Sequence, residues 1–154
     1  MFALLKKLSS RAIPPEILPA DCVLIDQFAY LTLDWELGIL EVSMLLGVDT
    51  AEAALCRSLN AKQRSPTVDE RERMRMLCLI DQRLIAYFNQ RKNDLSVSVE
   101  RRRYWAAMDT RRFLREHPVL PHERSMWDLL EGGRFPDMVY VARLVSIITG
   151  NAHS

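Results

Sequence analysis

The sequence predicts an all-α protein. Two observations carry that prediction: apolar residues recur at helical spacing along most of the chain, and capping, proline and glycine signals bound the apolar runs. A third is negative. Only residues 95–99 alternate apolar and polar, and that run is short and flanked by charge, so it reads as a connection. No internal repeat of fixed period is visible.

The elements follow in order. After a start broken by Pro14, Pro15 and Pro19, residues 21–33 suit a helix with Leu24, Ile25, Phe28 and Leu31 on its apolar side. Residues 37–46 read as a second helix, ended by Gly47, and residues 50–59 as a third, with Asp49 a good N-cap. A loop over residues 60–66 leads to the clearest helix start in the chain, where Thr67 and Glu70 have the spacing of a reciprocal capping box. Met74, Leu77, Ile80, Leu84 and Phe88 then share one face through about residue 90, and Asp69 and Arg73 form a favourable i,i+4 pair opposite. This long helix is the expected spine.

Residues 99–116 also read as helical, with a break expected near Asp109 and Thr110, and His117-Pro118 ends the run. Ser125 with Asp128 caps a short helix that Gly132 and Gly133 close. The last helix, residues 136–149, opens on a proline at a permitted position. It is apolar nearly all round, so it must be buried in the core or against a partner.

The chain has 154 residues, 49% of them hydrophobic and 27% charged, which suits one globular domain or two small helical subdomains. Its longest nearly apolar run, residues 37–48, is well short of the roughly 20 residues that a membrane span needs. The opening MFALLKKL places its lysines after a very short apolar stretch, the reverse of a secretory signal, so a cytoplasmic protein is expected. Cys22, Cys56 and Cys78 are widely spaced and odd in number, and they read as reduced, buried thiols.

The net charge of +1 hides a strong asymmetry. Residues 1–56 hold 3 basic and 8 acidic side chains, residues 57–115 hold 15 and 7, and residues 116–154 hold 3 and 5. A basic middle between acidic ends suits phosphate backbone, an acidic partner, or a solvated arginine-rich helix surface. Arg57, Lys62 and Arg64, with Arg101, Arg102 and Arg103, are the candidates for contact with a DNA backbone.

Catalytic and metal motifs are missing. His117 and His122 flank PVLP beside Glu123, but the spacing is not that of a zinc motif and no ligand cluster adjoins it. No nucleophile elbow, P-loop or dinucleotide fingerprint occurs, and nothing local activates a cysteine. No enzyme and no cofactor are expected. Trp35, Trp105 and Trp127 read as core anchors rather than a stacking platform for bases.

Residues 39–59 have the dimensions of a helix-turn-helix, with Ser43 at the close approach, Gly47 at the turn, and Val42, Leu46, Val48, Ala53 and Cys56 for a shared core. Its chemistry is poor for reading bases. The start of the second helix and the position one turn on that would face the groove are Asp49, Thr50, Ala51 and Leu55, with Glu52 nearby; bidentate readers are missing, and two carboxylates would face phosphate.

Residues 113–146 read FLREHPVLPHERSMWDLLEGGRFPDMVYVARLVS. A helix ends in an aromatic-leucine pair, a proline loop follows, then a serine-capped helix with Leu129, Leu130 and Gly132, then a final apolar helix. This order resembles the toxin-binding domain of the Xre/MbcA/ParS family of antitoxins, and the upstream order of helix-turn-helix and long Arg-rich helix matches as well. The resemblance covers about residues 35–150. It departs where Val119 follows Pro118, and where Met126 and Trp127 follow Ser125, in place of the family's asparagine and Ser-Pro-Leu start.

The resemblance implies a helix-turn-helix-like bundle (residues 1–66), a long helix and basic connecting region (67–112), and a toxin-binding-like C-terminal helical domain (113–154). It implies a non-catalytic homodimer that neutralises a RES-type, NAD-consuming toxin by covering its entrance, and that binds operator DNA. Carried over by motif, the partner-facing candidates are Arg124, Ser125, Trp127, Asp128, Gly132, Gly150 and Asn151. Ser125, Leu129 and Leu130 read as helix cap and core ahead of partner contact, whereas Trp127, if exposed, is the better interface anchor. The alternatives are a DNA-binding transcriptional regulator, and a relative that binds another regulatory protein without reading DNA.

Overall fold

The structure is a computed structural model that describes residues 19–49, 66–91, 96–119 and 124–150. Within them the chain forms α1 (Pro19–Asp34), α2 (Ile39–Leu46), α3 (Val68–Arg91), α4 (Val99–Glu116), β1 (Pro118–Val119), β2 (Arg124–Ser125), α5 (Met126–Glu131) and α6 (Phe135–Gly150). The fold is all-α, and among the described residues its one sheet is a two-stranded antiparallel pair.

α1 buries Leu24, Phe28 and Leu31, and the chain then turns so that Trp35 and Leu37 are buried as well. The turn holds Glu36 at φ 52, a left-handed conformation that is uncommon for a residue with a Cβ. Trp35 N–H donates to Leu31 O at 2.9 Å and Leu37 N–H to Thr32 O at 2.9 Å, so the last carbonyls of α1 are satisfied. α2 ends at Gly47, φ 67, as its sequence predicts. The Ser43 hydroxyl donates back to Val48 O across that turn. Residues 50–59, the expected second half of the helix-turn-helix, lie outside the described residues, as do Cys56, Arg57, Lys62 and Arg64.

α3 is the spine, packing against α1, α2, α4 and α6. The capping box forms as expected: Glu70 N–H donates to Thr67 Oγ1 at 3.2 Å, and Thr67 N–H to Glu70 Oε1 at 3.1 Å. Met74, Leu77, Ile80 and Leu84 are fully buried, and Phe88 packs at the margin of the same core. α4 starts at Ser98, whose hydroxyl accepts from Arg101 N–H at 3.2 Å. The break expected near Asp109 and Thr110 does not occur. Thr110 lies on the buried stripe with Ala106, Ala107 and Leu114, so packing on α3 holds the helix straight through it.

The charge asymmetry has a structural meaning. Four ion pairs join an acidic residue of α1, α2 or the turn between them to an arginine of α3 or α4: Asp21 to Arg71 at 2.9 Å, Asp34 to Arg103 at 2.7 Å, Glu36 to Arg111 at 2.7 Å and Glu41 to Arg115 at 3.7 Å. The basic middle is therefore partly neutralised inside the molecule. The Asp21 carboxylate is buried and takes both Nε and Nη2 of Arg71, at 2.9 and 3.1 Å, and those hydrogen bonds hold its pKa below the ordinary value. The three pairs along α4 are more exposed, and such pairs contribute about 0–1 kcal/mol each.

Candidate partner-binding site

Pro118 stops α4, and the chain leaves it extended. His117 stacks on Phe113 with ring centroids 4.5 Å apart, and Phe113 meets Phe88 edge-on at 5.8 Å. β1 and β2 pair antiparallel, with Pro118 opposite Ser125 and Val119 opposite Arg124. Ser125 then caps α5: its Oγ accepts from Asp128 N–H, and its own N–H donates to Asp128 Oδ2, both at 3.1 Å.

α5 turns inward. Met126, Trp127 and Leu130 are buried, and Trp127 meets Trp35 edge-on with centroids 6.4 Å apart. Arg115 lies over the Trp127 ring, 4.7 Å from its centroid. Trp127 is only 7% exposed, so the condition for its being an interface anchor is not met; the indole is a core side chain. Ser125 and the exposed Asp128 are occupied with each other as a cap, which leaves Arg124 on β2 and Gly132 at the end of α5 as the exposed members of the motif-derived set not so engaged. Gly150 ends α6 beside the Arg83 guanidinium, and Asn151 lies outside the described residues.

Gly133 fixes the path into α6. It has φ 70, and a Cβ there would stand 2.6 Å from Met44 O. Arg73 Nη1 donates to Gly133 O at 2.6 Å and to Leu45 O at 3.1 Å, tying this corner to α2 and α3 at once.

α6 packs Met138, Val141, Ala142 and Val145 into the core. Its sequence is apolar on the other side too, and there the structure leaves Tyr140 42% and Ile147 58% exposed, with Leu144 and Ile148 half-buried between them. Positions 140, 144, 147 and 148 make one helical stripe. At its edge lies a cleft of about 230 Å³ lined by His117, Pro118, Val119, Met126, Tyr140, Leu144 and Ile148. A second cleft, about 340 Å³, is lined by Phe88 and Phe113 and by the polar Asp109, Arg112 and Glu116. His117 and Pro118 line both. The arrangement is an apolar shelf with a polar margin, suited to receiving side chains of another protein. The named partner-facing candidates lie on the capped helix and at the end of α6, whereas the signal for the shelf was the all-round apolarity of the last helix, which calls for cover by the core or by a partner.

Of the basic candidates, only Arg101, Arg102 and Arg103 are among the described residues. Arg101 is exposed, Arg102 is half-buried, and Arg103 is held by Asp34. Consecutive helical residues point about 100° apart, so the three guanidinium groups leave the helix in different directions. Burial, together with the charge of Asp81, pushes the Cys78 thiol up to about 12, leaving it inert, and Cys22 is half-buried. Among the described residues no group of three histidine, cysteine or acidic side chains is placed to hold a metal ion, and no helix is long and apolar enough to cross a membrane. No protein-family model matches the chain, and no curated protein matches it.

Proposed function

We propose that this chain is a non-catalytic, antitoxin-like regulator that sequesters a partner protein on its C-terminal face, the partner by resemblance being a RES-type toxin. The observation that carries the reading is the apolar stripe Tyr140, Leu144, Ile147 and Ile148, open along the outer side of a helix whose inner side is already packed. An apolar helix face beside paired clefts is the geometry in which a partner's side chains gain burial without refolding the host. The internal pairing of Arg71, Arg103, Arg111 and Arg115 weighs against DNA as the principal ligand, since phosphate would have to compete with Asp21, Asp34, Glu36 and Glu41 for these cations.

The test is a pull-down from the native host with wild-type and Ile147→Glu baits. The expected result is one protein retained by the wild type and lost with Ile147→Glu, whose NAD-consuming activity falls when the wild-type chain is added. A partner retained equally by both baits, or nucleic acid alone recovered with both, overturns the reading.

A further inference from the structure

The outer side of α6 carries a cation as well as apolar side chains. Arg143 is exposed, three residues after Tyr140 and four before Ile147, so the three share one line along the helix. Among the described residues no ion pair or hydrogen bond engages its side chain, whereas Arg71, Arg103, Arg111 and Arg115 are each held by a carboxylate of the same chain. Gly150 lies on the same line two turns further on, about 10 Å away. The Arg83 guanidinium of α3 stands beside it, with Nη1 3.5 Å from where a Cβ on Gly150 would be. Arg83 likewise has no ion-pair partner among the described residues.

We propose that the partner segment seated on this face is an acidic amphipathic helix, with one carboxylate over Arg143 and a second, two turns along, opposite Arg83. The inference rests on the partner-binding reading and adds the chemistry of the occupant. A partner that covers Tyr140 and Ile147 together also covers the Arg143 between them. A guanidinium taken out of water without an acceptor is strongly destabilising, and a carboxylate offers it two oxygens at matching geometry. A cationic partner would be repelled by both arginines.

The acids of this chain leave that line to the partner. Asp137, the acidic side chain of α6, lies in its first turn, where the helix N-terminus favours a negative charge. It is six residues before Arg143 and so points about 120° away from it round the helix. Asp109 and Glu116 line the 340 Å³ cleft together with Arg112, and not the cleft that Tyr140 borders. On a partner helix, acids at i and i+7 with apolar residues at i+3 and i+4 make the complementary face: carboxylates for the two arginines, and apolar contact for Ile147 and Tyr140 between them.

The probe is a synthetic helical peptide with glutamates at that seven-residue spacing and leucines between them, titrated into the isotope-labelled full chain while the amide resonances of α6 are followed. Two further peptides carry glutamine or lysine in place of the glutamates. The expected result is movement of the α6 resonances, with the glutamate peptide binding about tenfold tighter than the glutamine peptide and the lysine peptide weakest. Arg143→Glu should reverse the order of the glutamate and lysine peptides, and Ile147→Ser should weaken all three alike. Both positions are exposed, so both variants should fold. Equal binding of the three peptides, or an order that Arg143→Glu leaves unchanged, overturns the acidic occupant; if Ile147→Ser still weakens them, the apolar face survives as a docking site. No movement at α6 with any peptide overturns the occupant and the face together.

Discussion

Two adjacent glycines make a sharp test of the packing at the C-terminal corner. Gly133→Ala places a Cβ 2.6 Å from Met44 O, a backbone atom that α2 holds in place, and does so at φ 70. A left-handed conformation costs a residue with a Cβ about 1–2 kcal/mol. Relieving the clash also moves Gly133 O from Arg73, and a hydrogen bond from a charged donor contributes about 1.5–3 kcal/mol. A loss of about 3–4 kcal/mol follows if the two effects partly overlap. For a chain of this size that lowers Tm by roughly 6–16 °C. Gly132→Ala is the control, because Gly132 has ordinary helical φ −65 and its Cβ would sit 3.4 Å from Leu129 O. It should be neutral, or stabilising by about 0.4–1 kcal/mol through the unfolded chain. Urea unfolding followed by tryptophan fluorescence measures both. If Gly133→Ala lies within about 0.5 kcal/mol of wild type, or if Gly132→Ala costs as much, the geometry of the corner is wrong.

Other outcomes are expected on the same footing. Tyr140→Glu and Ile147→Glu alter exposed side chains, so thermal melting should shift by no more than about 0.5 kcal/mol equivalent while partner retention is lost. Thr67→Ala and Ser125→Ala each remove a reciprocal cap and should cost about 1 kcal/mol in urea unfolding. Stability should also be asymmetric in pH. Asp21, held below its ordinary value by Arg71, contributes stability above the unfolded value of 3.8 that is lost as pH falls through its folded value. Asp81, pushed up by burial, behaves oppositely: its contribution is complete below 3.8 and is lost as pH rises through about 8. These two groups together set the Tm optimum on the acid side of neutrality, and Asp81→Asn should flatten the alkaline limb in a melting series from pH 4 to pH 9.

Local signals were legible where one residue type has one job. Thr67 with Glu70, Ser125 with Asp128, and Gly47 each did in the structure what their chemistry dictates at a helix end. The apolar stripe of α3 was equally plain, since Met74, Leu77, Ile80 and Leu84 recur at helical spacing. What sequence reading lacked was long-range pairing. Arg103 belonged to a basic triplet until the fold set it against Asp34, 69 positions away, and Trp127 was a candidate anchor until Trp35 covered it. Asp81 looked like any polar residue on a long helix, because only the tertiary fold brings Asp34 and Trp35 to it. The α6 shelf shows the opposite case: apolarity all round was visible, but which side the core would take was not.

The ion pairs between the acidic start and the basic middle have a consequence for how the chain is made. α1 is synthesised with Phe28 and Leu31 on one side and Trp35 in the turn that follows, and these side chains find their cover on elements encoded later. Asp21 waits 50 positions for Arg71, Trp35 waits 46 for Asp81, and Asp34 waits 69 for Arg103. At about 5–20 residues per second, the last of these intervals is roughly 3–14 s on the ribosome. During that time a helix with an uncovered apolar face and five unneutralised carboxylates, Asp21, Asp26, Asp34, Glu36 and Glu41, is held in one short stretch of nascent chain. Four of these five later clasp α3 and α4, and meanwhile all five repel one another and attract water, which disfavours pairing of neighbouring nascent chains through that face.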